Sequence, residues 1–144
     1  DVFIIGFGPA GQQAADRLSK QADDRLLVLE LNPHNAAVAG RRGIAVQVGD
    51  ATQREVLEHA HIHHASVIIL TLPDPKVSRT VIHHCRFLAP HAAIIVRARY
   101  HVLRWELQLA GAIEVVDEEQ EVGTRLAKEA RKKLHEMTPE GGDD

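Results

Sequence analysis

Gly6, Gly8 and Gly11 stand at the spacing Gly-x-Gly-x-x-Gly in "VFIIGFGPAGQQAADRL" (Val2–Leu18), where an apolar run passes into a helix-like pattern. The chemistry such a junction serves is anion binding. The first glycine permits a sharp turn, the second lets backbone approach a phosphate with no Cβ between them, and the third lets the helix pack closely on the strand. The helix start then offers unbonded N–H groups and about half a positive charge. Gly6, Gly8, Pro9, Ala10 and Gly11 are therefore a candidate phosphate cradle. An acid at the end of the next strand completes the pattern, because a carboxylate there accepts hydrogen bonds from ribose hydroxyls and repels a 2′-phosphate. Glu30 occupies that place in "LLVLELNP", 19 residues beyond Gly11, with Leu31 and Asn32 following it. No Arg or Lys lies within Leu31–Ala37 to neutralise a 2′-phosphate, which disfavours NADP. "VGDAT" (Val48–Thr52) brings Asp50, Ala51 and Thr52 to the same carboxyl edge of the sheet. Asp50 there either meets an adenine amino group or only caps a helix. Thr71, at the end of "VIILTLPD", reaches the same edge.

The elements that hold these residues are short and regular. Apolar runs at Val2–Ile5, Leu26–Leu31, Ile44–Val48, Val67–Leu72, Ala92–Val96 and Ile113–Val116 alternate with helical stretches. The runs are near-continuously apolar, as strands buried on both faces are. Strands separated by helices give an α/β fold, a Rossmann-like doubly wound parallel sheet of about six strands. Pro9 suits the first turn of a helix. Asn32-Pro33 and Asp74-Pro75 each read as an N-cap followed by proline at the first helical position. Thr52-Gln53-Arg54-Glu55 has the form of a capping box. Gly43 and Gly111 stand where helices hand over to strands. Ala10, Ala14 and Leu18 form a narrow apolar stripe on the first helix. A long C-terminal helix is expected over Glu119–Met137, its stripe Val122, Leu126, Ala130 and Leu134 flanked by the pairs Glu121/Arg125 and Glu129/Lys133. Such a helix either closes over its own sheet or crosses to a partner. Residues 1–137 thus read as one domain and 138–144 as a flexible tail.

Composition narrows the function. At 144 residues, 44% hydrophobic and 26% charged, the chain is of ordinary single-domain type. A net charge of −3 and a pI near 6.4 leave no basic footprint for nucleic acid. The single cysteine, Cys85, rules out a disulfide framework and fits a core or interface thiol. No apolar run approaches the length of a membrane span. Residue 1 is Asp and abuts the first strand, so the chain is expected to be a piece of a longer polypeptide. Catalytic signatures are thin: the one tyrosine, Tyr100, has Arg104 but no lysine nearby. Of His59, His61, His63, His64, His83 and His84, His59/His63 has the i,i+4 spacing of helical ligands, and no metal is expected.

The ordered set of the glycine turn, "VLELNP", "VGDAT", "ASVIILTLPD", "IIVRARY" and "LAGAIEVV" resembles the TrkA-N domain, the N-terminal domain of regulators of potassium conductance (RCK), of the kind attached to Kef-like potassium/proton antiporters. That resemblance covers nearly all of Val2–Leu134. It implies a nucleotide-sensing regulatory domain that binds NAD(H) or an adenine nucleotide such as AMP, forms a homodimer, and gates a potassium channel or cation/proton antiporter from the cytoplasmic side of the inner membrane. By position it places the cradle on Gly6, Gly8, Pro9, Ala10 and Gly11, the ribose acid on Glu30, and further contacts on Asp50, Ala51 and Thr52. It also places Arg97 so as to face nucleotide or partner subunit. Two departures stand out: Glu30 where many relatives carry Asp, and Glu118 where relatives often carry proline. The alternative reading is the cofactor-binding half of an NAD-dependent dehydrogenase; a methyltransferase shares the glycine turn but shows no second signature.

Overall fold

The computed structural model describes residues 1–22 and 25–139. Six strands, β1 (Val2–Ile5), β2 (Leu26–Glu30), β3 (Ala45–Val48), β4 (Val67–Leu70), β5 (Ala93–Ala98) and β6 (Glu114–Asp117), form one sheet. All pairings are parallel, in the order β3-β2-β1-β4-β5-β6. The helices are α1 (Pro9–Ala22), α2 (Pro33–Arg41), α3 (Arg54–His59), α4 (Pro75–Leu88), α5 (Arg104–Ala110) and α6 (Glu118–Met137). This is the expected Rossmann-like topology. Strand order turns back on itself between β1 and β4, which opens a crevice outside their carboxyl ends.

Two apolar layers bury the sheet. On one face Leu57, Ile62, Val81, Ile82, Cys85 and Leu107 pack on Phe3, Ile5, Leu29, Ile68, Leu70, Ile94 and Val96. On the other, α1 and α2 bring Ala15 and Ala39 onto Ile4, Leu26 and Val28. Each fully buried Leu, Ile or Phe contributes about 1.5–3 kcal/mol relative to exposure. The second layer stops short. Over β4–β6 that face keeps an apolar groove of 440 Å³ containing Ile69, Ile95 and Val116, walled by Ala10 and Ala14 of α1 and Val122 of α6.

Local capping follows the sequence in part. Asn32 and Asp74 accept from the His34 and Lys76 amides at 2.8 Å each, with proline at the first helical position. Gly43 and Gly111 take positive φ values of 75° and 128°. The capping box does not form: α3 is capped by Gln53 without a side-chain bond, and the Thr52 hydroxyl donates to Asp50 Oδ1 at 2.7 Å. Asp50 wins because its carboxylate also accepts the Thr52 amide, closing a tight local turn. Strand β3 is an edge strand with no fully buried residue, against the expectation of burial on both faces.

The terminal helix begins one residue earlier than expected and buries none of its side chains. The ion pairs within it are Arg125–Glu129 at 3.0 Å and Lys133–Glu136 at 3.1 Å, replacing the pairs expected at Glu121/Arg125 and Glu129/Lys133. Asp117 caps it, accepting from the Gln120 amide at 2.6 Å. Burial alone would raise the Asp117 carboxyl, but the Gln120 amide, His101 and Arg104 together hold it below the ordinary aspartate value. That contribution to stability is complete above the ordinary aspartate range and is lost as pH falls through the lowered value. Thr138 closes the helix with a bond to the Leu134 carbonyl at 2.9 Å. Of the expected tail, residues 140–144 lie outside the described residues. Among the described residues no helix is long and apolar enough to cross a membrane.

Cys85 lies in the core, as one of the two expected settings required. Burial pushes its thiol up to about 12. At pH 8 only about one in 10⁴ molecules then carries the thiolate. A thiol reagent such as dithionitrobenzoate should leave the folded chain unmodified and react with it promptly in denaturant. Rapid labelling without denaturant would contradict the packing around α4.

Candidate functional site

The chain leaves β1 through Gly6, whose φ of +98° lies in the left-handed region that favours glycine. A Cβ on Gly6 would collide with the Thr71 hydroxyl, and one on Gly11 with the Gly6 carbonyl oxygen. The turn and the first turn of α1 are thus in backbone contact. The Thr71 hydroxyl donates to the Gly6 carbonyl at 2.8 Å and lies within reach of the Ile5 carbonyl at 3.2 Å. Gly8 differs: a Cβ there would meet nothing beyond its chain neighbours within 4 Å. Its carbonyl accepts the Gln12 amide at 2.9 Å, so it stands at the N-cap of α1 and supplies no side chain to cap it. The amides of Ala10 and Gly11 consequently belong to the unbonded first turn.

Beside this turn lies a cleft of 310 Å³ at the carboxyl edge of the sheet. Gly6, Glu30, Leu31, Asn32, Asp50, Ala51 and Thr52, expected from the sequence to share a site, all line it. Glu30 is only 9% exposed. Its Oε2 accepts the Phe7 amide at 2.7 Å; its Oε1 accepts the Asn32 amide at 3.3 Å and Asn35 Nδ2 at 3.2 Å. A carboxylate accepts about four hydrogen bonds, so about one site remains for a ligand hydroxyl. Asp50 uses Oδ1 for the Thr52 amide and hydroxyl. The Thr52 carbonyl accepts from His84 Nε2 of α4 at 3.0 Å, tying this loop to the helix opposite.

The structure separates other residues from this cleft. Thr71 and Arg97 line the apolar groove on the opposite face, together with Ala10. Thr71 spends its hydroxyl on the Gly6 turn. Arg97 faces neither cleft nor solvent alone: Nε donates to Glu118 Oε1 at 2.8 Å, Nη2 to the same oxygen, and Nη1 to the Thr71 carbonyl at 3.1 Å. The reason is register, since the ladder sets Arg97 opposite Val116, two residues before Glu118. Pro9 is exposed at the start of α1. Sequence reasoning missed Asn35, Leu72, Val77 and Val81, which also line the cleft. Val77 and Val81, spaced by four after the Asp74 cap, were a readable signal; nothing local marked Asn35. His61, His63 and His64 pack their rings together at 4.1–5.9 Å, and among the described residues no set of three acidic, histidine or cysteine groups is placed to hold a metal ion.

A parallel sheet ordered in this way, with a glycine turn and a strand-end acid beside one cleft, defines the Rossmann-like nucleotide-binding class. The sequence profile of the TrkA-N domain matches residues 2–118, and the chain belongs to that family. It is 29% identical over 118 residues to an uncharacterized protein of Methanocaldococcus jannaschii, spanning 81% of this chain but 24% of that protein, or about a quarter of the length of the curated relative. The TrkA-N domain of inner membrane protein ybaL from Escherichia coli superposes with a TM-score of 0.76 at 27% identity, covering 95% of this chain and 96% of that one. The GsuK channel bound to NAD gives a TM-score of 0.72 at 25% identity over 80% of this chain and 21% of the channel chain. The AMP-bound Kef C-terminal domain of Shewanella denitrificans gives 0.77 over 92% of this chain and 80% of that one, with 23% identity, a likeness of fold.

The three glycines should respond differently to a methyl group. Gly11→Ala forces backbone apart and should cost about 1–3 kcal/mol in urea unfolding. Gly8→Ala should stay within about 0.5 kcal/mol of the parent. Equal losses at the two positions would contradict the placement of the turn.

Proposed function

We propose that this chain is a regulatory module that binds an adenine nucleotide, NAD(H) or AMP, in the cleft beside Gly6. In this reading the phosphate sits on the amides at the start of α1, Glu30 holds the ribose, and the Asp50–Thr52 loop borders the base. The observation that carries it is the contrast among the glycines. Packing accounts for Gly6 and Gly11, whereas a Cβ on Gly8 would point into open space, with nothing beyond its own chain neighbours within 4 Å. A phosphate on the α1 amides accounts for it. The NAD- and AMP-bound relatives support the choice of ligand.

The module is regulatory rather than catalytic in this reading. Both acids of the cleft already serve as acceptors for the protein's own groups, Glu30 for three donors and Asp50 for two. Its output is a homodimer. Val122, Leu126, Leu134 and Met137 of α6 are 57–77% exposed, and an apolar groove lies open on the sheet face beside the same helix. A second copy, laying its α6 stripe along this groove, covers both surfaces at once. Rearrangement of that pair would pass ligand state to a potassium channel or Kef-like cation/proton antiporter at the cytoplasmic face of the inner membrane. Residues 1–137 form the module in this reading.

Thermal unfolding against NAD⁺, NADH, AMP and ATP ranks the ligands. Saturation at about 100 times the dissociation constant should add about 2.7 kcal/mol for the true ligand. Gly8→Val should weaken its binding about tenfold or more while leaving the unliganded midpoint unchanged. No shift with any of these nucleotides would sink the reading.

The dimer has its own test. Light scattering should give twice the 15.9 kDa chain mass for the parent and a monomer for Leu126→Asp. A parent that stays monomeric at high micromolar concentration would remove the second copy from the scheme.

A further inference from the structure

We propose that Thr71, Arg97 and Glu118 form a positioning relay that links the glycine turn to the first turn of α6, so that the state of the turn sets how firmly α6 is held. This deepens the function proposed above and rests on it for the identity of the input. The links are consecutive. The Thr71 hydroxyl donates to the Gly6 carbonyl at 2.8 Å. The Thr71 carbonyl, one residue past the end of β4, accepts Arg97 Nη1 at 3.1 Å. Arg97 Nε then donates to Glu118 Oε1 at 2.8 Å, and Glu118 is the first residue of α6. Thr71 is 7% exposed, the Arg97 side chain 28% and the Glu118 side chain 42%, so the relay is sheltered at the Thr71 end and open to water at Glu118.

What makes the relay consequential is how little else holds α6. None of its residues is buried. Besides the Asp117 cap, its start is tied to the body by the Glu119 carboxylate accepting the His101 amide at 2.7 Å and by Arg104 donating to Gln120 at 2.7 Å. Those ties run to the segment before α5 and to α5 itself. Of these ties among the described residues, only that of Glu118 leads back to the glycine turn. An anion seated on the α1 amides immobilises Gly6 through Gly11; that fixes Thr71, keeps Arg97 aimed at Glu118, and slows opening of the first turn of α6. A helix with few tertiary contacts opens at low free energy, so a single tie registers in its exchange rate.

Amide hydrogen exchange over residues 114–126 reads this directly. In the parent, saturating AMP or NAD⁺ should slow exchange there by about fivefold or more, on the scale of a 1 kcal/mol coupling. Glu118→Gln should bind the same nucleotide within about threefold of the parent yet lose that slowing. A second arm needs no nucleotide: Thr71→Val should speed exchange at the start of α6 in the parent background but add nothing to Arg97→Gln or Glu118→Gln, with thermal midpoints checked for each variant. Slowing that survives Glu118→Gln would overturn the relay, and so would a Thr71→Val effect that is absent or the same in every background. Failure of the parent to bind any nucleotide strikes the function proposed above, while the second arm still decides the relay.

Discussion

The carbonyl oxygen of Gly6 is held between two neighbours, the Cα of Gly11 and the hydroxyl of Thr71, and the site is arranged around that contact. For the oxygen to sit there, the chain must leave β1 in a left-handed conformation, and α1 must begin almost touching the strand that precedes it. The consequence is a helix whose first amides stand at the carboxyl edge of a buried sheet, where a low-dielectric floor strengthens any charge they meet. The Phe7 amide, one residue on, is turned toward Glu30 and bonds it at 2.7 Å, so the same turn also orients the acid of the neighbouring strand.

The two faces of the sheet divide the work. One is closed by α3, α4 and α5, and its rim forms the cleft, where Glu30 and Asp50 are held in place by bonds to the protein's own amides, hydroxyl and amide side chain. The opposite face is closed over β3, β2 and β1 by α1 and α2, which leaves the apolar surface of β4–β6 open beside an α6 that is itself unburied. In the proposed dimer this exposed apolar area is the surface that the second copy covers. Arg97 lies on that second face and reaches the end of β4 beside the first, so a residue that the family resemblance places toward nucleotide or partner subunit bridges the two faces.

Much of this was legible before any coordinates. Runs of β-branched and aliphatic residues set the six strands, Asn32-Pro33 and Asp74-Pro75 set two helix starts, and the glycine spacing set the turn, because each is decided by backbone sterics and short-range bonds within a few residues. The cleft residues Glu30 to Asn32 and Asp50 to Thr52 were legible for a related reason: in a parallel sheet every strand ends at the same edge. What tertiary structure decided was the competition for partners. Thr71 turns to Gly6, Asn35 reaches Glu30, and Arg97 finds Glu118, because strand register and the rotation of each helix determine which group arrives first. The exposure of α6 also belongs to the tertiary level. Its stripe of Val122, Leu126 and Leu134 is written in the sequence, but whether that stripe meets its own sheet depends on the angle at which the Asp117 cap and the Glu118 tie launch the helix, and no local pattern encodes an angle set by contacts between residues far apart in the chain.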